Sequence, residues 1–221
     1  MGTDKFGRDI FCRVLYGSRI TFLIAILTVT IGAGVGTLIG AFCGYLGGWL
    51  DETLMRLMDA LFAFPSLLLA LVFVSLFGTG TFQVAFALGI AFIPSFSGIV
   101  RSEFKKIAKE DYIAFARLER VPTLRILFVH MLPNASATLM SSLMIGFNNA
   151  VLAEAGLSFL GIGAQPPRAS LGHMLSDAQP YLLSIPLYVI APGVVLILMV
   201  LGFSFLGEGI YASTREGMWS K

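Results

Sequence analysis

Side chains able to do chemistry are few in this sequence, and their spacing argues against catalysis. Ser158 has no His or Asp at a spacing that suggests a nucleophilic triad, and no His-Glu-x-x-His pair occurs. His130 and His173 carry imidazoles of the kind nickel binds, yet neither has a Cys or a second His nearby. No G-x-x-x-x-G-K-S/T phosphate loop is present, so ATP would have to act through another polypeptide. Cys12 and Cys43 do not make a disulfide framework and read as free thiols. The sequence therefore predicts no catalytic residue, no metal site and no cofactor held by this chain. Two groups remain. Glu154, with Asn148 and Asn149 before it, brings polar chemistry into a stretch that is otherwise largely apolar. A basic segment, residues 101–131, gathers Arg101, Lys105, Lys106, Lys109, Arg117, Arg120 and Arg125.

What these groups can do depends on the elements that carry them. The 221 residues are 57% hydrophobic and 13% charged, far from the quarter or so of charged residues in a soluble domain. Mean hydropathy is +0.85. Roughly 20 consecutive apolar residues already cross the hydrocarbon layer, and several runs here reach or exceed that. The pattern predicts an all-α, polytopic membrane helical bundle with about five spans, near 20–48, 54–77, 82–100, 132–160 and 184–207. The Gly78-Thr79-Gly80-Thr81 turn separates the second from the third. The positive-inside rule puts the basic 101–131 loop in the cytoplasm. Residues 1–18 are then extracytoplasmic, 19–208 form the transmembrane domain, and 209–221 are a cytoplasmic tail. No signal peptide is visible before the first span. The net charge of +2 follows this topology and does not suggest nucleic acid.

Placed on these spans, the candidate residues acquire roles. Glu154 lies about 22 residues beyond Leu132, which at ~1.5 Å per residue sets it near the outer membrane face. There it fits either a translocation pathway or a hydrogen bond to a neighbouring helix, and Asn148 and Asn149 face the same choice. His130 and His173 fall on opposite sides and cannot share an ion. Gly32, Gly36, Gly40, Gly44 and Gly48 recur every four residues and predict a tight helix-packing seam. Arg56 and Asp59 are spaced for an ion pair, as are Lys106 and Glu110. The basic loop reads as two helices, since Val100, Phe104, Ile107 and Ala108 continue a helical stripe and Pro122 starts a new one. Leu124, Leu127, Phe128 and Met131 share the apolar face of the second, and a break falls at Arg120–Val121. Such an elbow suits either an anionic lipid surface or a docking partner.

The stretch Asp111-Tyr112-Ile113-Ala114-Phe115-Ala116-Arg117 through Ile126 and His130-Met131-Leu132-Pro133-Asn134 resembles the EAA coupling motif of binding-protein-dependent ABC permeases. Gly2-Thr3-Asp4 with Gly7-Arg8-Asp9, Met55-Arg56 with Asp59, and Ala63-Phe64-Pro65 are similar to the C-type permeases of the dipeptide, oligopeptide and nickel branch. So are Leu157 to Gly161, Gln165-Pro166-Pro167 and Met174-Leu175. The resemblance covers essentially the whole chain. Three departures accompany it: the usual first membrane helix is lacking, Arg120 stands where a Gly is common, and Leu171 where a Trp is common.

The resemblance implies a type I ABC importer transmembrane domain in the inner membrane, carrying di- or oligopeptides, or alternatively chelated nickel. It implies a homologous second permease as a heterodimer partner, two ATP-binding subunits that hold ATP and Mg, and an extracytoplasmic substrate-binding protein. It implies ATPase docking through Glu110, Asp111, Tyr112, Phe115, Ala116, Arg117, Arg120, Pro122, Thr123 and Arg125. A self-assembling passive channel and an inactive truncated remnant are the competing readings.

Overall fold

In a computed structural model, which describes residues 2–4, 6–165 and 168–219, the described residues form helices joined by turns, with an isolated antiparallel bridge between Thr3 and Asp9. Pro166 and Pro167 of the family-like motif, and the last two residues of the expected tail, lie outside the described residues.

Helix α1, Ile10–Leu46, starts about ten residues earlier than the hydropathy suggests. Asp9 caps it by accepting a hydrogen bond from the Phe11 N–H. Ile10, Val14 and Gly17 are buried, so packing makes helix worthwhile in a stretch whose charges hid it. The second half of the expected 1–18 segment thus forms the first turns of α1. Helix α2, Gly48–Phe62, follows a reversal at Gly47 and Gly48, both with positive φ.

The expected continuous span 54–77 is instead two helices. Helix α3, Ser66–Phe77, meets α2 at 90° across Ala63-Phe64-Pro65. Pro65 cannot continue the α2 hydrogen-bond ladder and disfavours helical angles at Phe64, which is why an unbroken apolar run still turns.

Helix α4, Thr81–Ile107, runs without a break from the third span into the basic loop. The elbow is α5, Asp111–Leu118, followed by α6, Thr123–Arg125, a π-helical stretch Ile126–Met131 and α7, Leu132–Asn134. Helix α8, Ser136–Phe159, returns to the elbow's far side, where the short α9, Leu171–Ala178, and a 3₁₀ turn, Gln179–Tyr181, lead into α10, Pro186–Trp219. Four of these helices are long and apolar enough to cross a bilayer, and the bent α2–α3 pair makes a fifth crossing if counted as one span.

The glycine stripe explains the most extensive helix contact in the chain, α1 against α4. A Cβ on Gly32 would stand 3.0 Å from the Phe92 Cβ, on Gly36 2.7 Å from the Phe96 Cβ, on Gly40 2.5 Å from the Ser97 carbonyl oxygen, and on Gly44 2.7 Å from the Phe104 Cβ. No side chain fits between the backbones. Gly48 departs from the expectation: nothing lies within 4 Å of its Cβ position, and its positive φ belongs to the reversal between α1 and α2.

Two apolar clusters result. One, between α1, α3, α4, α8, α9 and α10, fills the bundle; the other joins the end of α4 to the elbow through Phe104, Ile107, Ile113, Ala116, Ile126, Leu127 and Met131. Beside the second, Asp51 of α2 accepts from the Arg101 guanidinium through both oxygens and from Lys105 Nζ at 2.6 Å. A nearly buried carboxylate with two cations ties α2 to α4.

Two expected ion pairs are replaced. Arg56 pairs with Glu52 at 2.8 Å and not with Asp59, the better i, i+4 geometry taking the guanidinium. Lys106 pairs with Glu103 at 3.2 Å and not with Glu110, because α4 ends at Ile107 and Glu110 already belongs to the next turn.

Candidate functional site

The elbow is built by a specific helix stop. Past Leu118, the Val121 N–H donates to the Ala116 carbonyl at 3.1 Å and the Arg120 N–H to the Arg117 carbonyl at 3.0 Å. These are the two bonds of a Schellman ending, which requires left-handed backbone at Arg120, where φ is 56°. The side chains of Val121 and Ala116 sit on the same apolar cluster, closing the motif from inside. Asn134 Nδ2 then donates to the Tyr112 hydroxyl oxygen at 3.0 Å and to the His130 carbonyl at 2.7 Å, so α5 and α7 hold each other. Burial pushes the Tyr112 phenol above its usual value, with the Glu110 charge adding to it, so the hydroxyl stays protonated.

Buried Ile113 and Ala116 anchor the elbow, leaving Phe115 66% and Leu118 78% exposed. Around this apolar tip Glu110, Asp111, Arg117, Arg120, Pro122, Thr123 and Arg125 are all exposed, and Tyr112 is partly so. Nine of the ten expected docking residues are thus exposed on the elbow, though the Arg117 guanidinium lies over the ring of Tyr45. Ala116 is the exception: it is buried and faces the chain's own core. Leu118 and Leu124 are also exposed but are not among the expected docking residues: the sequence pattern does not single out Leu118, and it places Leu124 only on a shared apolar face. The expected common face of Leu124, Leu127, Phe128 and Met131 is split. Residues Ile126–Met131 form a π-helix, and its wider turn buries Ile126, Leu127 and Met131 while leaving Leu124 and Phe128 exposed.

In the bundle, the 90° bend between α2 and α3 opens a cleft of about 740 Å³ against α4 and α8. Its aromatic lining is Phe62, Phe64, Phe92 and Phe96, and its polar groups include Ser95, Ser142 and Asn149. No lining residue is charged. Phe62, Phe64, Ser95 and Ser142 were not anticipated; Pro65 was the available signal, since a proline inside a run of apolar residues marks a break that can hollow the bundle.

The three expected pathway residues part company here. Asn149 lines the cleft. Asn148 turns to α10, where its Nδ2 donates to Ser204 Oγ at 2.8 Å. Glu154 is fully buried, and its Oε1 accepts from Ser158 Oγ at 2.5 Å. It sits where α8, α1 and the start of α9 converge, close to Thr21 and Ser170; the Leu171 N–H donates to Thr21 Oγ1 at 3.2 Å. Glu154 therefore joins helices and does not line the cleft: Leu152 and Ala153 just before it still do, so Glu154 stands on a different side of α8, turned toward Thr21 and Ser170. Leu171, where a membrane-surface Trp would stand, is buried in the same place.

Against this geometry the chain can be compared with known proteins. Residues 36–216 match the family described as the binding-protein-dependent transport system inner membrane component. The chain belongs to that family. It is therefore a permease component of an ABC importer, of a family of transport subunits that work with ATPase and substrate-binding partners. Its relatives include the dipeptide transport system permease protein DppC of Alkalihalophilus pseudofirmus, 39% identical over 95% of this chain and 69% of that protein. DppC of Haemophilus influenzae is 37% identical over 95% and 71%. The glutathione transport system permease protein GsiD of Pectobacterium atrosepticum is 38% identical over 95% and 70%. Among solved structures, an inward-facing conformation of the MetNI methionine ABC transporter covers 92% of this chain and 96% of its own with a TM-score of 0.75. At 17% identity that likeness speaks for the fold, which is the importer transmembrane fold expected from the sequence.

Proposed function

We propose that this permease forms one half of the translocation pathway of an importer for short peptides, dipeptides or glutathione among them, and that its elbow docks into an ATPase subunit on the cytoplasmic side. The elbow carries this reading: an apolar tip, Phe115 and Leu118, ringed by charges and rigidly backed by Ile113 and Ala116, has the form of a plug for a groove in another protein. The uncharged, aromatic and amide-bearing cleft suits a peptide, whose backbone bonds to amides and hydroxyls whatever its side chains. DppC and GsiD, named for dipeptide and glutathione, favour peptide cargo over chelated nickel.

The assembly is a heterodimer of this chain and a homologous permease, with two ATPases below and a binding protein outside. ATP and Mg belong to the ATPases. The basic 101–131 segment and the end of α10 face the cytoplasm, in keeping with the positive-inside rule.

Purification of the complex from its native membrane, followed by reconstitution in liposomes, tests this. The expected result is co-purification of two ATPases and a second permease, with ATP-dependent uptake of a labelled dipeptide that unlabelled glutathione or dipeptide competes for. Assembly from copies of this chain alone, with ATP-independent flux, would establish a passive channel instead; an assembled complex that moves nothing would mark a remnant.

A further inference from the structure

Arg117 was expected to face the ATPase, but its guanidinium lies over the ring of Tyr45 with its carbon 4.5 Å from the ring centre. Tyr45 is in the last turn of α1 and Arg117 in the last turn of α5, so the contact bridges the membrane helix and the elbow directly. The support beneath Tyr45 cannot slide. Gly44, the preceding residue, is pressed against the Arg101 carbonyl and the Phe104 Cβ of α4, at 2.8 and 2.7 Å from its Cβ position. On the following turn, Asp51 fastens α2 to α4 through Arg101 and Lys105.

The other link from α5 to the bundle is of a different kind. Ile113 and Ala116 rest on an apolar cluster, and apolar contacts are non-directional, so they resist separation more than rotation; the Asn134–Tyr112 hydrogen bond is directional but ties α5 to α7 and so toward α8, not to α1. A cation held over a ring face has a preferred direction and distance. Packed elements transmit displacement as rigid bodies when such contacts fix their orientation.

We propose that Tyr45 is a positioning residue for energy coupling, the strut against which Arg117 holds the elbow so that its displacement moves the interlocked α1–α4 pair. This rests on the reading of the elbow as the ATPase docking element. Arg117 then faces its own chain, while Phe115 and Leu118 face the partner.

The test is a double-mutant cycle on the complete complex in liposomes, reading labelled dipeptide taken up per ATP hydrolysed. Tyr45→Leu and Arg117→Met should each lower that ratio about two- to fivefold, the factor a partly exposed cation–π contact sets. The double variant should be no worse than either single one. Tyr45→Phe and Arg117→Lys, which keep a ring face and a cation, should retain the wild-type ratio, and every variant should still co-purify with its ATPases. A Tyr45→Leu complex with the wild-type ratio overturns the strut, as do losses that multiply in the double variant. So does Arg117→Met shedding its ATPases while Tyr45→Leu keeps them, since Arg117 would then be a docking residue. If Tyr45→Leu does not assemble, a Tyr45→Phe complex with a lowered ratio overturns it equally. A wild-type complex without bound ATPase sinks the docking reading together with this one, an outcome distinct from all the others.

Discussion

Arg120 and Gly161 occupy the same position of the same helix ending. After α8, the Ile162 N–H donates to the Leu157 carbonyl and the Gly161 N–H to the Ser158 carbonyl, both at 3.0 Å, with φ 80° at Gly161. After α5, Val121 and Arg120 repeat those two bonds with φ 56° at Arg120, the one positive-φ residue other than glycine among the described residues. One fold thus contains the motif with and without the residue that suits it.

Left-handed backbone costs a side-chain-bearing residue about 1–2 kcal/mol, partly offset by the greater freedom glycine has when unfolded. Arg120→Gly should therefore raise the stability of the elbow by about 0.5–1 kcal/mol, and Gly161→Ala should lower that of the α8 end by a similar amount. Thermal melting of the purified complex measures both. A destabilised Arg120→Gly variant would mean that the guanidinium makes a compensating contact outside this chain.

The α1–α4 seam makes a second prediction with its own control. A methyl group on Gly40 would stand 2.5 Å from the Ser97 carbonyl oxygen and 2.9 Å from the Arg101 nitrogen, backbone atoms that cannot rotate away. Gly40→Ala should cost about 1–3 kcal/mol, the usual penalty of overpacking. Gly34, six residues earlier on the same helix, has nothing within 4 Å of its Cβ position. Gly34→Ala should be neutral or slightly stabilising, since alanine is the better helix former. Equal effects of the two substitutions on the melting temperature would refute the seam.

How far these features were readable from the sequence depended on whether they were local. The glycine period and the stop at Arg120–Val121 are short-range patterns, and they placed the seam and the elbow. The start of α1 at Ile10 was hidden because Arg13 looks like the end of a polar segment until Asp4, just before the helix, and Asp177, far along the chain in α9, come to pair with it. The bend at Pro65 was hidden by uniform hydropathy: Ser66–Phe77 is apolar on every side, so composition alone could not tell a straight span from a broken one. Asn148, Asn149 and Glu154 could not be told apart, since their roles depend on which neighbour α8 presents to each, and neighbours are long-range facts.

The turn before α1 should respond to acid. Asp4 is almost fully buried, and burial alone would push its carboxyl up. The N–H groups of Arg8 and Phe6 and the guanidinium groups of Arg13 and Arg8 outweigh that, holding it well below the usual carboxylate range. A lowered folded value means that the ionised carboxyl stabilises the turn fully above the ordinary range, near pH ~4, and that this is lost as pH falls toward the lowered value. Amide exchange at Phe6 and Arg8, corrected for intrinsic rates, should be slow at neutral pH and accelerate in acid. Asp4→Asn should show the fast exchange already at pH 7. Acid-insensitive exchange in the wild type would rule out the carboxylate as the organiser of the turn.

Adjacent amides on α8 should give opposite phenotypes. Asn148 donates to Ser204 between two helices, and such bonds inside membranes contribute about 0.6–2 kcal/mol. Asn148→Ala should lower the melting temperature of the complex while leaving the KM for peptide uptake near the wild-type value. Asn149 lines the cleft and is exposed, so its truncation opens no buried cavity. Asn149→Ala should leave melting unchanged and raise KM several-fold, on the order of the 0.5–1.5 kcal/mol net that one hydrogen bond to the substrate contributes. Asn149→Asp tests the neutrality of the cleft more sharply, because it sets an unpaired negative charge among Phe62, Phe64 and Phe92. Charged in that surrounding, it should slow uptake of peptides ending in acidic side chains more than that of neutral ones, and basic ones least. If the two alanine variants exchange phenotypes, the cleft against the α2–α3 bend is not the route the peptide takes.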